Sequence, residues 1–203
     1  MTVNARTRGL REAKFRRTQQ TIVWACAELT IEDGFEAATI ERIAGRSEVD
    51  PHTISLWFPV TGDILFAELH DRIEQLELQL GSADGGDIVD RLWAWVLAIG
   101  RAQGGFDEEL ERLRQRAIAS DPGLRARQAQ LTAPVHDLLA RTVAHDVGAD
   151  AQTVGPLVFA AAAMSFLDAL RDNFAAGQPD RFEQAFAGME MLRATYAALP
   201  RSH

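Results

Sequence analysis

Side chains that could do covalent or metal chemistry are few in this chain of 203 residues. The one cysteine, Cys26, falls on the apolar face of a predicted helix, where a thiol is more often core than nucleophile. No histidine is spaced from another histidine or from the cysteine as metal ligands are; the five are His52, His70, His136, His145 and His203. Carboxylates such as those of residues 107–109 fall on a charged helix. The sequence therefore predicts no enzyme, no catalytic residue, no metal and no cofactor.

Hydrogen-bonding side chains are concentrated between residues 39 and 58, where two short segments with helical spacing flank a break at residues 47–50. Asp50 is a good N-cap for the second segment, and Pro51 suits the first helical position because its missing amide is not needed there. Helix, tight turn and second helix make a helix-turn-helix, whose second helix normally enters the DNA major groove. An ordinary helical hairpin has the same pattern.

The helix-turn-helix hypothesis assigns DNA contacts to particular side chains. Pro51, His52 and Ser55 are one and four residues apart, so they share a helix face and are predicted to face the bases. Hydroxyl and indole groups can donate to phosphate oxygens, which predicts phosphate contacts from Thr39, Thr53, Trp57 and Thr61. Arg46, on the first helix of the motif, is a further DNA-binding candidate.

Nine groups of residues extend this pattern over residues 21–65; they are Ala27, Leu29, Gly34-Phe35, Thr39-Ile40, Ile43-Ala44, Val49, Thr53-Ile54, Phe58 and Asp63-Ile64-Leu65. In the spacing of these groups the run resembles the DNA-binding domain of the TetR family of transcriptional regulators. The family usually has glycine at Glu48, an aromatic residue at Ser55 and lysine at Thr61. The resemblance implies a dimer with a DNA-binding head and a helical body that binds an effector.

The charge of the chain is divided unevenly. The net charge is -8, yet residues 1–17 carry six basic side chains against Glu12 alone, a net charge of +5. We interpret residues 1–17 as a flexible basic arm that contacts phosphates or the minor groove, although a solvated tail has the same composition. The arm residues predicted to bind DNA are Arg6, Arg8 and Arg11.

Apolar spacings of three and four residues predict an all-α protein of about nine helices, and strand signals are nearly absent. We divide it into the arm, a three-helix helix-turn-helix domain at residues 18–62, and a helical-bundle effector-binding and dimerisation domain at residues 63–203. A long helix is predicted over residues 61–80. Pro134 lies inside a later helix, where it either forces a kink or marks a helix boundary.

The predicted effector pocket is drawn from bulky and polar side chains of the body helices. The candidates are Trp93, Trp95, Phe106, His136, Phe159, Met164 and Phe166. Most of them must be plain core, and the sequence does not identify the effector.

Two apolar helices at the C-terminal end predict a homodimer through a four-helix bundle. The helix over residues 153–173 is apolar nearly all round, and a second one has a clean apolar face. The interface candidates are Ala161, Phe182, Phe186 and Met189. No run approaches the ~18 to 20 apolar residues of a membrane span, so no membrane partner is expected.

The sequence thus predicts a ligand-responsive, DNA-binding transcriptional regulator in the cytoplasm. We expect a repressor that binds a palindromic double-stranded operator as a homodimer and is released by a small, partly apolar effector. The alternatives are a helical ligand-binding or protein-interaction module that has lost specific DNA binding, and a small helical enzyme or carrier. A single cysteine and the lack of a secretory signal favour the cytoplasm.

Overall fold

The structure is a computed structural model that describes the backbone of residues 3–82, 85–102 and 106–201, and the side chains of residues 13–82, 85–99, 108–173 and 176–201. This part of the chain forms nine α-helices and two short 3₁₀ helices, with no strand, which confirms the all-α prediction. The α-helices are α1 Val3–Asp33, α2 Ile40–Ser47, α3 Pro51–Trp57, α4 Leu69–Leu80, α5 Ile88–Ala102, α6 Phe106–Ser120, α7 Pro122–Val147, α8 Val154–Ala175 and α9 Arg181–Ala197.

The described residues divide into two compact units. We call the first the head unit; it takes in the chain up to Ala67 together with Glu109–Ala126. We call the second the body unit; it takes in Glu68–Glu108 and the chain from Arg127 onward. The division differs from the predicted boundary after residue 62, because most of α6 and the first turn of α7 belong to the head unit.

In the head unit, α2 packs against α1 and α3, and a 3₁₀ helix over Thr61–Phe66 packs against α1. The centre is apolar; its fully buried side chains include Ile22, Cys26, Ile43, Ile54 and Ile64. Cys26 is a core residue as predicted, and burial raises the pKa of its thiol to about 12. A thiol with so high a pKa stays protonated, which makes it a poor nucleophile.

Residues 3–17 are not a flexible arm in the structure, because α1 runs without a break from Val3 to Asp33. The segment contains no proline, and nine of its fifteen residues are arginine, alanine, leucine or lysine, all of which favour helix. The basic segment is therefore the first half of the helix whose second half forms the head core.

The predicted helix over residues 61–80 is two elements, the 3₁₀ helix Thr61–Phe66 and α4. A tertiary hydrogen bond accompanies the break, since Arg114 Nη1 of α6 donates to the Leu65 carbonyl at 2.9 Å. Arg114 also donates to both carboxylate oxygens of Glu111, and Gln115 Nε2 donates to Glu111 at 2.8 Å. All three side chains are buried, so this polar cluster ties α6 to the head unit.

One apolar core fills the body unit, with contributions from five helices. Its most buried large side chains include Leu76 of α4, Ile88 and Leu92 of α5, Leu139 of α7 and Phe159 of α8. Helix α9 adds Met189, Leu192 and Tyr196. Pro134 is exposed and lies within a continuous α7, so it is not a helix boundary.

A buried ion pair links α5 to the end of α7. Arg91 Nη2 donates to the two carboxylate oxygens of Asp146 at 2.8 and 2.7 Å. The Ile88 amide, at the start of α5, donates to Asp146 at 2.8 Å. Asp146, near the end of α7, thus accepts a hydrogen bond from an amide at the start of α5 that has no partner within its own helix.

Helices α8 and α9 approach each other closely. A side chain at Gly188 would meet the Phe166 ring at 2.6 Å, so glycine is required for this approach. By length and composition the segment Val154–Asn173 is able to cross a bilayer, which corrects the expectation drawn from the sequence. The core helix of a globular protein passes the same test, and Phe159, Ala160 and Ala163 of this helix are buried in the body core.

Candidate nucleic-acid interface and effector region

The turn between α2 and α3 holds the recognition helix in place. Asp50 caps α3 as predicted, since its Oδ1 accepts hydrogen bonds from the His52 amide at 2.9 Å and the Thr53 amide at 3.2 Å. Glu48 ends α2 with φ 55°, the one non-glycine residue at positive φ in the described part of the chain. Glycine is favoured in this left-handed conformation, which explains why the family usually has glycine here.

The exposed face of α3 contains the three residues predicted to face the bases, Pro51, His52 and Ser55. The opposite face is anchored by Ile54, which is fully buried. The Ser55 hydroxyl donates to the Pro51 carbonyl at 3.0 Å, so its oxygen remains able to accept a hydrogen bond. The structure therefore presents an imidazole and a hydroxyl side by side on a free helix surface.

Leu56 belongs to the same face and was missed by the sequence analysis. It is 70% exposed, one of the most exposed large apolar side chains in the described residues. The sequence could have indicated this, because Leu56 lies four residues after His52, and residues four apart share a helix face. Apolar side chains on a recognition helix contact the methyl group of thymine.

The threonines predicted at the phosphates differ in exposure. Thr39 caps α2, since its hydroxyl oxygen accepts from the Arg42 amide at 3.4 Å, and it remains exposed. Thr53 and Thr61 are half-buried. The structure leaves all three hydroxyls in the head unit near the motif, and their phosphate contacts remain a prediction.

Trp57 ends α3 and packs against α1. Its ring lies 4.5 Å from that of Phe15, centroid to centroid, with the planes tilted by 49°. Phe15 is 49% exposed and Trp57 is half-buried. Trp57 thus has a packing partner that the sequence analysis did not foresee, and its predicted phosphate contact remains a prediction.

Both arginines of α2 are engaged with acids of α1. Arg46 Nη1 lies 2.8 Å from Glu32 and 3.7 Å from Glu28. Arg42 pairs with Asp33 and donates to the Ala37 carbonyl at 3.0 Å. Arg46 thus has acidic partners within the head unit that the sequence analysis did not foresee, and its predicted DNA contact remains a prediction.

Apart from the paired arginines of α2, the exposed basic side chains of the first three helices lie on α1. Lys14, Arg16 and Arg17 are exposed on the helix that carries Phe15. Arg6, Arg8 and Arg11 lie on the same helix, but their side chains are outside the described residues.

The body unit brings five of the seven pocket candidates to one core. Trp93, Trp95, Met164 and Phe166 are partly buried and pack against it. Phe159 is fully buried and meets Tyr196 edge-on, with ring centroids 6.1 Å apart, so it is a core residue. Of the remaining two candidates, His136 is half-buried with its Nδ1 3.7 Å from the Asp137 carboxylate, and the side chain of Phe106 is outside the described residues.

Trp95 has one unusual property among these side chains. Its indole Nε1 is buried, and the described residues offer it no hydrogen-bond acceptor. Buried indole N–H groups usually find a partner, and an unpaired one costs about 1–3 kcal/mol.

The dimer candidates on α8 and α9 differ in exposure. Phe182 and Phe186 are 68% and 59% exposed, and Ala161, Val154 and Val158 of α8 are also exposed. Met189 is buried in the body core, so it is wrongly placed among the interface candidates. Met189 lies on the stripe of α9 that packs on the body core with Ala185, Leu192 and Tyr196, and Phe186 lies about 60° round the helix from it, at the edge of that stripe.

Comparison with known proteins agrees with this architecture. Residues 88–197, just over half of the chain, match the TetR C-terminal family model described as the MftR C-terminal domain. The HTH-type transcriptional regulator TcmR of Streptomyces glaucescens is 27% identical over 148 residues, which are 70% of this chain and 66% of that protein. With a capped helix-turn-helix at one end and this helical domain at the other, the chain belongs to the TetR family of transcriptional regulators.

Proposed function

We propose that the protein is a DNA-binding transcriptional regulator rather than an enzyme. The observation that carries the proposal is the capped helix α3, whose exposed face presents His52, Ser55 and Leu56. Imidazole and hydroxyl groups can hydrogen-bond to base edges, and the leucine suits a thymine methyl. The exposed basic side chains of α1 supply charge for phosphates in a protein that is acidic overall. Binding to DNA implies a cytoplasmic location.

We propose further that it is a repressor that binds a palindromic operator as a homodimer. Two identical heads related by a two-fold axis read two half-sites of the same sequence, about one helical turn or ~34–36 Å apart. The relative TcmR is a transcriptional regulator by name, and this supports regulation without deciding its sign.

Electrophoretic mobility shifts on the DNA upstream of the protein's own gene test the proposal. His52→Ala should weaken binding to the preferred site by roughly 1–3 kcal/mol and binding to random DNA by less. His70→Ala is the matched control, because His70 is an exposed histidine on α4 of the body unit. Equal losses on both DNAs would show that His52 does not read bases. No binding to any genomic fragment at low salt would favour the alternative, a helical module that has lost DNA binding.

The proposed dimer is formed by the exposed apolar face of α8 and α9. Phe186→Asp should place a charge in the interface and produce monomers at micromolar concentration, detected by analytical ultracentrifugation, because an unpaired buried charge costs several kcal/mol. Leu78→Asp is the control, since Leu78 is 71% exposed on α4, outside this face. A wild-type protein that is monomeric would refute the proposal.

The proposed effector is a small, partly apolar molecule with a hydrogen-bond acceptor. The support is the unpaired Trp95 N–H, together with Trp93, Met164 and Phe166, which like Trp95 are partly buried and pack against the body core. A panel of apolar carboxylic acids, esters and ketones should yield compounds that raise the melting temperature and quench tryptophan fluorescence. Trp95→Phe keeps the ring but removes the donor, and should weaken such compounds about tenfold. If the matched Trp93→Phe weakened binding of these compounds and Trp95→Phe did not, the hydrogen-bond donor would not be the Trp95 N–H.

A further inference from the structure

The N-terminal half of α1 and the end of α3 meet through one pair of aromatic rings, Phe15 and Trp57. Phe15 lies among Lys14, Arg16 and Arg17 on the surface of α1, and it remains 49% exposed beside Trp57. Because α1 is one continuous helix from Val3, fixing the position of Phe15 also fixes the direction of the preceding helical turns. Twelve residues separate Phe15 from Val3, which is ~18 Å of helix.

The helix-turn-helix itself offers little free positive charge. Arg42 and Arg46 are paired with carboxylates of α1, and α3 itself contains no lysine or arginine. Counterion release from phosphates provides most of the non-specific part of DNA affinity, and it requires cations at the DNA surface. Among the first three helices, that role falls to the basic half of α1.

We propose that the Phe15–Trp57 ring contact sets the position of the basic half of α1 relative to the recognition helix, so that Lys14, Arg16 and Arg17 contact the phosphate backbone in register with α3. The inference rests on the proposed DNA binding. Phe15 and Trp57 act here as positioning residues, and neither needs to touch DNA. In this proposal the ring of Trp57 contributes through its contact with Phe15, in place of the phosphate contact predicted for its indole N–H.

Two pairs of variants, measured on the same operator fragment, distinguish the effect of the Phe15–Trp57 ring contact from that of the Trp57 N–H donor. Phe15→Ala and Trp57→Leu remove the ring contact, whereas Phe15→Tyr and Trp57→Phe keep two rings, and Trp57→Phe removes only the N–H donor. We expect the first pair to bind several-fold more weakly and the second pair to bind as wild type does. Circular dichroism and the melting temperature check that each variant folds, and Phe15→Leu serves as a second disruptive variant.

The salt dependence shows whether the rings act through the charges. Each phosphate contact contributes ~0.9 to the slope of log K against log salt concentration, so Lys14→Gln with Arg16→Gln and Arg17→Gln should make the slope shallower by ~2–3. Phe15→Ala should make it shallower by ~1–2 and should have no further effect in the triple variant.

Three results would overturn the inference. In the first, Phe15→Ala binds DNA with the wild-type affinity and the wild-type salt dependence. In the second, Trp57→Phe loses as much DNA affinity as Trp57→Leu does. In the third, the affinity losses from Phe15→Ala and from the triple variant are additive. Absence of wild-type binding at low salt is distinguishable from all three, because it removes the proposed function itself.

Discussion

The head and body units each contain a buried arginine–carboxylate cluster, and the two clusters are built differently. In the head unit, Arg114 and Glu111 are three residues apart on α6, and the spare N–H of Arg114 reaches the Leu65 carbonyl. In the body unit, Arg91 and Asp146 are 55 residues apart and join α5 to α7 directly. The side chains of both pairs are close to one-tenth exposed.

The two clusters differ in the hydrogen-bond donor that each carboxylate retains when its arginine is replaced. Glu111 retains the Gln115 donor on its own helix. Asp146 retains the Ile88 amide at the start of α5. A backbone amide cannot follow the carboxylate if the helices move, whereas a side chain on the same helix can. We therefore expect the body unit to be more sensitive to removal of its arginine than the head unit.

The largest effect is expected in the body unit. Arg91→Met should lower the free energy of unfolding by ~3–5 kcal/mol, because it leaves the Asp146 carboxylate buried without its cation. Chemical denaturation measures the change. Arg193→Met is the matched control, since Arg193 is 42% exposed and pairs with Asp90 of the same unit, and surface pairs contribute about 1 kcal/mol or less. Equal losses from the two variants would contradict the assignment of a structural role to Arg91.

A smaller loss is expected in the head unit. Arg114→Met should lower the free energy of unfolding by ~2–3 kcal/mol, since Glu111 stays buried but keeps Gln115 as a donor. Arg116→Met, at an exposed position on the same helix, should change it by less than ~0.5 kcal/mol. Adding Glu111→Leu to Arg114→Met should recover part of the loss, because both charges are then gone. If Arg114→Met lowered the free energy of unfolding by more than Arg91→Met does, the head unit would be the more sensitive of the two, contrary to our expectation.

The smallest expected effect is a gain in stability. Glu48→Gly should raise the free energy of unfolding by about 1 kcal/mol, because glycine adopts positive φ without the cost that a Cβ atom imposes. It also removes a negative charge from the turn before α3, so DNA binding should tighten. Glu48→Gln removes the same charge and keeps the Cβ atom. If glutamine gives the same stability as glycine, the backbone at residue 48 is not strained.

Much of the fold could be predicted from the sequence because its signals are local. Asp50 and Pro51 mark the start of α3 within two residues, and Gly34 marks the end of α1. Apolar spacing of three and four residues identified the all-α class, and the exposed face of α3 followed from the positions of His52 and Ser55 within one turn. Each of these depends on atoms that lie within a helical turn of one another in any helical conformation.

The rest was decided only in the tertiary structure. The pairing of Arg46 with Glu32, the contact of Trp57 with Phe15, and the inclusion of α6 in the head unit all join residues distant along the chain. Periodicity shows that a helix has an apolar face, but it does not show whether that face meets its own core or remains open. Met189 and Phe186 differ in this way, although they lie on the same helix three residues apart. Which apolar side chains remain exposed depends on the depth and direction of helix packing, and these are set by every neighbouring helix together.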